Sequence, residues 1–189
     1  MCMTKQARRL LDREVARLAE GCSSRDRAIV WMCLGAGLRA AETAAVRLGD
    51  LGRDGSLLVR CGKGGDARLV YLTAQALEAV TQHHATLEFL GDNDPLFPSR
   101  KRRKGLLSPM RAGSAVDLIN RLMRERGISN ATSHSLRRTH AQSLEERGAS
   151  MRIIQRQLGH KHLSTTEQYL AQQPPGHREA VRTLEFTHE

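Results

Sequence analysis

Between Asp50 and Tyr71 the sequence changes its period, and that change limits the fold more than any other feature. Leu57-Leu58-Val59 and Leu69-Val70-Tyr71 are apolar runs of strand length, separated by the glycine-rich Gly62-Lys63-Gly64-Gly65-Asp66. Two such runs around such a turn read as an antiparallel hairpin. A shorter strand near residues 49–51 is expected as a third member. The flanking sequence reads as helical. Leu10, Leu11, Val15 and Leu18 have helical spacing in the first segment. Ser23 and Ser24 are N-cap candidates for a second helix through Ile29, Val30, Cys33 and Leu34, which Gly35-Ala36-Gly37 ends. Further helices are expected over 40–48 and 73–89, with a loop over 91–98. Beyond Pro109 they are expected over 112–126, 135–147, 151–158 and 164–171. In the 151–158 segment Met151, Ile154 and Leu158 form one stripe, and Arg152 and Arg156 share another face. Gln172-Gln173-Pro174-Pro175-Gly176 is a break, after which Ala180, Val181 and Leu184 form an apolar patch on a last helix. The expected fold class is mainly α with a small antiparallel β-sheet (α+β).

A chain of 189 residues with 40% hydrophobic residues can build one domain core. No apolar run approaches the ~18 residues of a membrane span, and the polar start MCMTKQARR is unlike a secretory signal. A cytoplasmic, nucleoid-associated protein is expected, with no membrane partner. Cys2, Cys22, Cys33 and Cys61 are scattered without a CxxC pair, so neither a disulfide framework nor a zinc site is expected. Cys33 reads as a small core residue.

The net charge of +10 is unevenly placed. Residues 97–178 hold 16 Lys and Arg against 5 Asp and Glu, whereas the remainder holds 14 against 15. One region thus carries the whole excess, as a polyanion-binding face would. Charge alone does not separate DNA from RNA or acidic lipid. The densest run, Arg100, Lys101, Arg102, Arg103 and Lys104, is a candidate for phosphate contact, with Arg138, Arg152 and Arg156 as further candidates.

Four local clusters carry residues suited to phosphodiester chemistry without a metal. Such a reaction needs fixed cations for the charge on the non-bridging oxygens, which arginine supplies through a planar fork. It also needs a nucleophile and proton-transfer groups. Gly37-Leu38-Arg39-Ala40-Ala41-Glu42 sets Arg39 at a helix start. Gly62-Lys63-Gly64 sets Lys63 at a hairpin tip. His134-Ser135-Leu136-Arg137 makes His134 and Arg137 neighbours on one helix face. Leu158-Gly159-His160 leads through Ser164-Thr165-Thr166 to Tyr169. A tyrosine of pKa about 10 is a poor nucleophile unless cations surround it, so Tyr169 gains meaning only from these arginines. Tyr71, the other tyrosine, reads as structural. His160-Lys161-His162 has no acidic or cysteine cluster beside it, and Asp92 and Asp94 fit a loop, so no metal and no cofactor is expected.

These clusters resemble the signature boxes of the tyrosine recombinase (phage integrase) family: GLRxxE, GKGxxxR, HxLRxT and LGHxxxxTTxxY. The resemblance runs roughly from Thr4 to Leu184, in the family's order. Arg39 to Lys63 is 24 residues, His134 to His160 is 26 and His160 to Tyr169 is 9. Any one box is weak; four in register are specific. The resemblance implies a site-specific DNA recombinase that cuts and rejoins duplex DNA through a 3′-phosphotyrosine. Arg39 and Arg137 would clamp the scissile phosphate, and Tyr169 would attack it. Lys63 would protonate the leaving 5′ oxygen, His134 would assist proton transfer, and His160 would hydrogen-bond a phosphate oxygen. Glu42 would buttress Arg39 or His134. Where members often carry histidine after the second arginine, this chain has Arg138.

The expected organisation is a catalytic domain over 1–171, with a linker and C-terminal helix over 172–189. The family's N-terminal clamp domain is not expected, because 38 residues precede Arg39. That size is similar to the short fimbrial phase-switch recombinases, and an excised catalytic domain is the alternative. The implied partners are double-stranded DNA, a homotetramer on that DNA with the C-terminal segment exchanged between protomers, and accessory DNA-bending proteins. Two rival readings stay open: relaxation of DNA in the manner of a type IB topoisomerase, and a silent DNA-binding regulator on the same fold.

Overall fold

The computed structural model describes residues 8–60, 67–87, 91–99, 107–159 and 177–184, apart from the side chains of 177, 178 and 180. Helix α1 (Asp12–Ala19) leads into α2 (Ser24–Gly35) and α3 (Ala40–Ala45). Strands β1 (Ser56–Val59) and β2 (Arg68–Tyr71) follow, then α4 (Ala74–His84). The remaining helices are α5 (Ala112–Glu125), α6 (Ser133–Glu146), α7 (Met151–Leu158) and α8 (His177–Arg182). The architecture is mainly helical with one two-stranded antiparallel sheet, as the sequence pattern predicts.

Helix α2 is the hub. Ser23 starts it by accepting the Asp26 backbone N–H on its hydroxyl at 3.1 Å. Ala28, Ile29, Val30, Met32, Cys33 and Leu34 are all buried, so the helix is apolar nearly all round. It packs against α1, α3, α4, α5 and α6. Each fully buried leucine or isoleucine contributes about 2 kcal/mol. The Cys33 thiol, wholly enclosed, is pushed up by burial to about 12 and is a core group.

The hairpin pairs Ser56 with Tyr71, Leu57 with Val70, Leu58 with Leu69 and Val59 with Arg68. Leu57, Val59 and Val70 form one buried face against the helical core; on the other face Leu58 is exposed while Tyr71, at the end of β2, is buried. The turn at 61–66 lies outside the described residues.

Several expectations shift at element ends. Residues 49–51 are not a strand: Leu48–Asp50 is a 3-10 turn, and only Leu51 bridges to Leu57. The buried Asp50 carboxylate accepts the Arg47 N–H at 3.0 Å and Arg60 Nε at 2.7 Å, which curls the backbone. Helix α3 stops at Ala45 because Val46 is extended and its carbonyl accepts the Leu96 N–H. Helix α4 stops at His84: the Thr86 hydroxyl donates to the His83 carbonyl, and the chain leaves through turns. Helix α6 starts two residues early, at Ser133, with the Ser135 hydroxyl accepting the Thr132 N–H. Met151 is 65% exposed, since the first residue of α7 overhangs the core that Ile154 and Leu158 enter. The helix expected over 164–171 lies outside the described residues.

Val181 and Leu184 are fully buried, and α8 packs against β2 of its own chain. No helix among the described residues is long and apolar enough to cross a membrane.

Candidate active site

The GLRxxE spacing builds one wall of a cleft. Arg39 is the N-cap of α3, and Glu42 three residues on reaches back, its Oε2 accepting the Arg39 backbone N–H at 2.8 Å. This carboxylate-to-N-cap bond satisfies a donor that a helix start otherwise leaves free. The Arg39 guanidinium donates to Glu42 Oε1, also at 2.8 Å, and its side chain stays 44% exposed.

Arg137 forms the floor. It lies one turn beyond His134 on α6, and its guanidinium is seated between two main-chain carbonyls. One nitrogen donates to the Gly37 carbonyl at 2.6 Å, and the other donates to the Leu158 carbonyl. The first also lies 3.7 Å from Glu42 Oε2. His134 is exposed and shares with Arg39 and Arg137 a cleft of roughly 160 Å³, to which Leu38, Val116 and Ser133 contribute.

Arg68, the first residue of β2 and the last of the GKGxxxR box, completes the cluster. It grips Glu42 with both terminal nitrogens, at 3.0 and 2.9 Å. Glu42 therefore sits among three guanidinium groups, and a fork-to-carboxylate pair of this kind is among the stronger protein hydrogen bonds. Burial would raise the Glu42 carboxyl, yet the bonds from Arg68 and Arg39 override it and hold the group down at about 2. Burial, with Arg39 and Arg68 beside it and Glu42 opposing, brings the Arg137 guanidinium down to about 10, still protonated at neutral pH. Three cations against one carboxylate leave a local surplus of positive charge, the condition for receiving a phosphate.

Two glycines let these walls close. Gly37 has φ +67°, and a Cβ there would lie 2.6 Å from His140 Cδ2 and 2.9 Å from Leu158 Cδ2. Gly159 ends α7 with φ +66°, and a Cβ there would meet Arg68 Cδ and Nε at 2.7 Å. Both are left-handed positions where glycine carries no steric penalty. Their boxes thus owe the glycine to packing as well as to turning.

Arg39, Glu42, His134 and Arg137 come together, with Glu42 contacting the arginines. Lys63, His160 and Tyr169 lie outside the described residues, as do Arg100, Lys101, Arg102, Arg103 and Lys104. Arg152 is exposed, Arg138 and Arg156 are half-buried, and none of the three lines the cleft. Among the described residues no group of three His, Cys, Asp or Glu could hold a metal ion. Sequence reasoning passed over Arg68, although the final arginine of its own box was the signal. It also passed over Gln157, a polar residue in the apolar stripe of α7.

Residues 8–175 match the profile of the phage integrase family. The chain belongs to that family. Among curated members, Tyrosine recombinase XerA of Pyrococcus horikoshii is 36% identical over 160 residues, covering 83% of this chain and 54% of that protein. Tyrosine recombinase XerC of Pelobacter propionicus is 31% identical over 151 residues, covering 79% of this chain and 48% of that one. The chain thus spans about half the length of the curated relatives it matches. The crystal structure of XerA recombinase superposes with a TM-score of 0.71 at 28% identity, covering 82% of this chain and 57% of that one. The integrase from mycobacterium phage Brujita superposes at 0.78 with 21% identity, over 100% of this chain and 61% of that one. The fold is that of a tyrosine recombinase catalytic domain.

Proposed function

We propose that the chain carries the catalytic centre of a site-specific DNA recombinase, cutting and rejoining duplex DNA without metal or ATP. The observation that carries this reading is the convergence of Arg39, His134 and Arg137 on one cleft, where three guanidinium groups face a single carboxylate. A scissile phosphate entering there meets Arg39 at the rim and Arg137 at the floor. Tyr169 Oη attacks phosphorus, the P–O5′ bond breaks, and Lys63 delivers a proton to the departing oxygen. His134 assists proton transfer, His160 donates to a phosphate oxygen, and Glu42 holds the arginines. The product is a 3′-phosphotyrosine and a free 5′-hydroxyl. Attack by a 5′-hydroxyl from another duplex reverses the chemistry and conserves the bond energy.

Four protomers on two DNA sites complete the reaction in this reading, with accessory DNA-bending proteins where the sites require them. The segment after Pro174-Pro175-Gly176 exchanges between protomers, remaking on a neighbour the contacts that Val181 and Leu184 make here in their own chain. Arg152, Arg156, Arg138 and the basic run at 100–104 bind backbone phosphates, which makes binding strongly salt-dependent. The names of the recombinase relatives support strand exchange over relaxation. The test incubates the protein with two genomic-flank duplexes and, separately, with a supercoiled plasmid lacking both. Recombinant joints without plasmid relaxation are expected. Relaxation without joints favours a topoisomerase, and binding without either favours a regulator.

A further inference from the structure

Gln157 is the one glutamine of α7 that is fully buried, and its amide links α7 to β2 and to the turn after α2. Its Nε2 donates to the Tyr71 carbonyl at 2.7 Å and to the Ala36 carbonyl at 3.1 Å. Its Oε1 accepts the Tyr71 N–H at 3.2 Å, so the side chain completes a short ladder along β2. Its own carbonyl accepts Arg68 Nε at 3.4 Å. The two carbonyls that seat Arg137 belong to Gly37 and Leu158. These are the residues immediately after Ala36 and Gln157. The Gln157–Ala36 bond therefore ties together the two segments whose next residues carry the carbonyls between which the guanidinium lies.

We infer that Gln157 is a positioning residue for Arg137, setting the width of its seat so that the guanidinium stays aimed at the scissile phosphate. The inference rests on the proposed strand-cleavage reaction for its catalytic half, and on geometry alone for its structural half. A leucine there has similar volume but bonds none of the three main-chain groups, so the seat is free to spread. Misplacement of a catalytic group by about 1 Å costs on the order of 100-fold in rate.

The full chain with Gln157→Leu is compared with wild type and with Val80→Ala, a core variant in α4 away from the cleft, each at a temperature giving the same folded fraction. Gln157→Asn keeps the amide on a shorter arm and serves if the leucine variant does not fold. Arginine labelling by phenylglyoxal, read by mass spectrometry, needs no activity. Arg137 is expected to label slowly in wild type and Val80→Ala, and several-fold faster in Gln157→Leu, with Arg39 unchanged. On a nicked suicide duplex, single-turnover cleavage is expected to fall roughly tenfold to 100-fold in Gln157→Leu. A neutral methylphosphonate at the scissile position, which has less need of the clamp, should shrink that deficit. Wild-type labelling of Arg137 in Gln157→Leu overturns the seat. Faster labelling with wild-type cleavage, or an equal cleavage loss in Val80→Ala, overturns the positioning role. If wild type itself forms no adduct, the cleavage reading falls and the labelling alone judges the seat.

Discussion

The floor and the rim of the cleft hold the same side chain by opposite means. Arg137 at the floor is 7% exposed and seated on main-chain carbonyls, whose positions are set by the packing of α2, α6 and α7. Arg39 at the rim is 44% exposed and is held by the carboxylate of Glu42. A seat made of backbone belongs to the fold and does not titrate. A seat made of a carboxylate depends on charge and can be weakened without unfolding the domain. Between them, Arg68 ties the hairpin to the same carboxylate, so Glu42 is the point where rim, floor and sheet meet. The division suits the proposed reaction: one cation fixed to define the position of a phosphate, another accessible enough to meet it at the surface.

Removing each arginine separates the two means most sharply. Arg137→Ala and Arg39→Ala are both expected to lower single-turnover cleavage by about 100-fold to 1,000-fold, the scale for losing one pre-organised donor to developing charge. Their stabilities should part company. Arg137→Ala leaves two buried carbonyls without this donor and should cost about 2–4 kcal/mol in urea unfolding. Arg39→Ala loses an exposed pair and should stay within about 1 kcal/mol of wild type. Equal destabilisation by the two changes breaks the contrast.

Gly37→Ala tests the floor without touching a charge. The left-handed backbone and the close approach of His140 and Leu158 should together cost about 2 kcal/mol. Cleavage should fall with it, because the Gly37 carbonyl moves. A variant of unchanged stability means that the turn relaxes freely and that the floor is less rigid than described.

The rim is tested by pH. The folded state holds the Glu42 carboxyl at about 2, against an ordinary value of 4.5. Its contribution to stability is therefore complete above about pH 4.5 and is lost as pH falls towards 2. Wild type should lose stability across that window more steeply than Glu42→Gln, whose amide does not titrate. Glu14, also lowered, by its bond to Arg8, is common to both proteins and cancels in the difference. Parallel pH profiles would remove Glu42 as the electrostatic hub.

Much of this was legible in the sequence because it rests on local pattern. The α2 apolar run, the Ser23 cap and the two short strands around a glycine turn each carry their signal within a few residues. Arg39 and Glu42 were legible for the same reason, being one helical turn apart. What escaped depends on partners that helix and strand periods do not report. The Leu48–Asp50 turn replaces a strand because Asp50 finds Arg47 and Arg60, and Met151 is exposed because no described residue packs over the start of α7. Arg68 and Gln157 matter through partners 26 and 121 residues away, a separation that no periodicity reports. The contact from Gln157 to Ala36 exists only because the fold sets α7 against the turn after α2.

In the proposed reaction Tyr169 is the nucleophile that the arginine cleft activates. The direct test incubates wild type and Tyr169→Phe with nicked suicide duplexes from the genomic flanks, in the presence of a metal chelator, and maps the covalent peptide by mass spectrometry. The expected result is an adduct through Tyr169 in wild type and none in Tyr169→Phe. An adduct that persists in Tyr169→Phe, or one that the chelator abolishes, would contradict it.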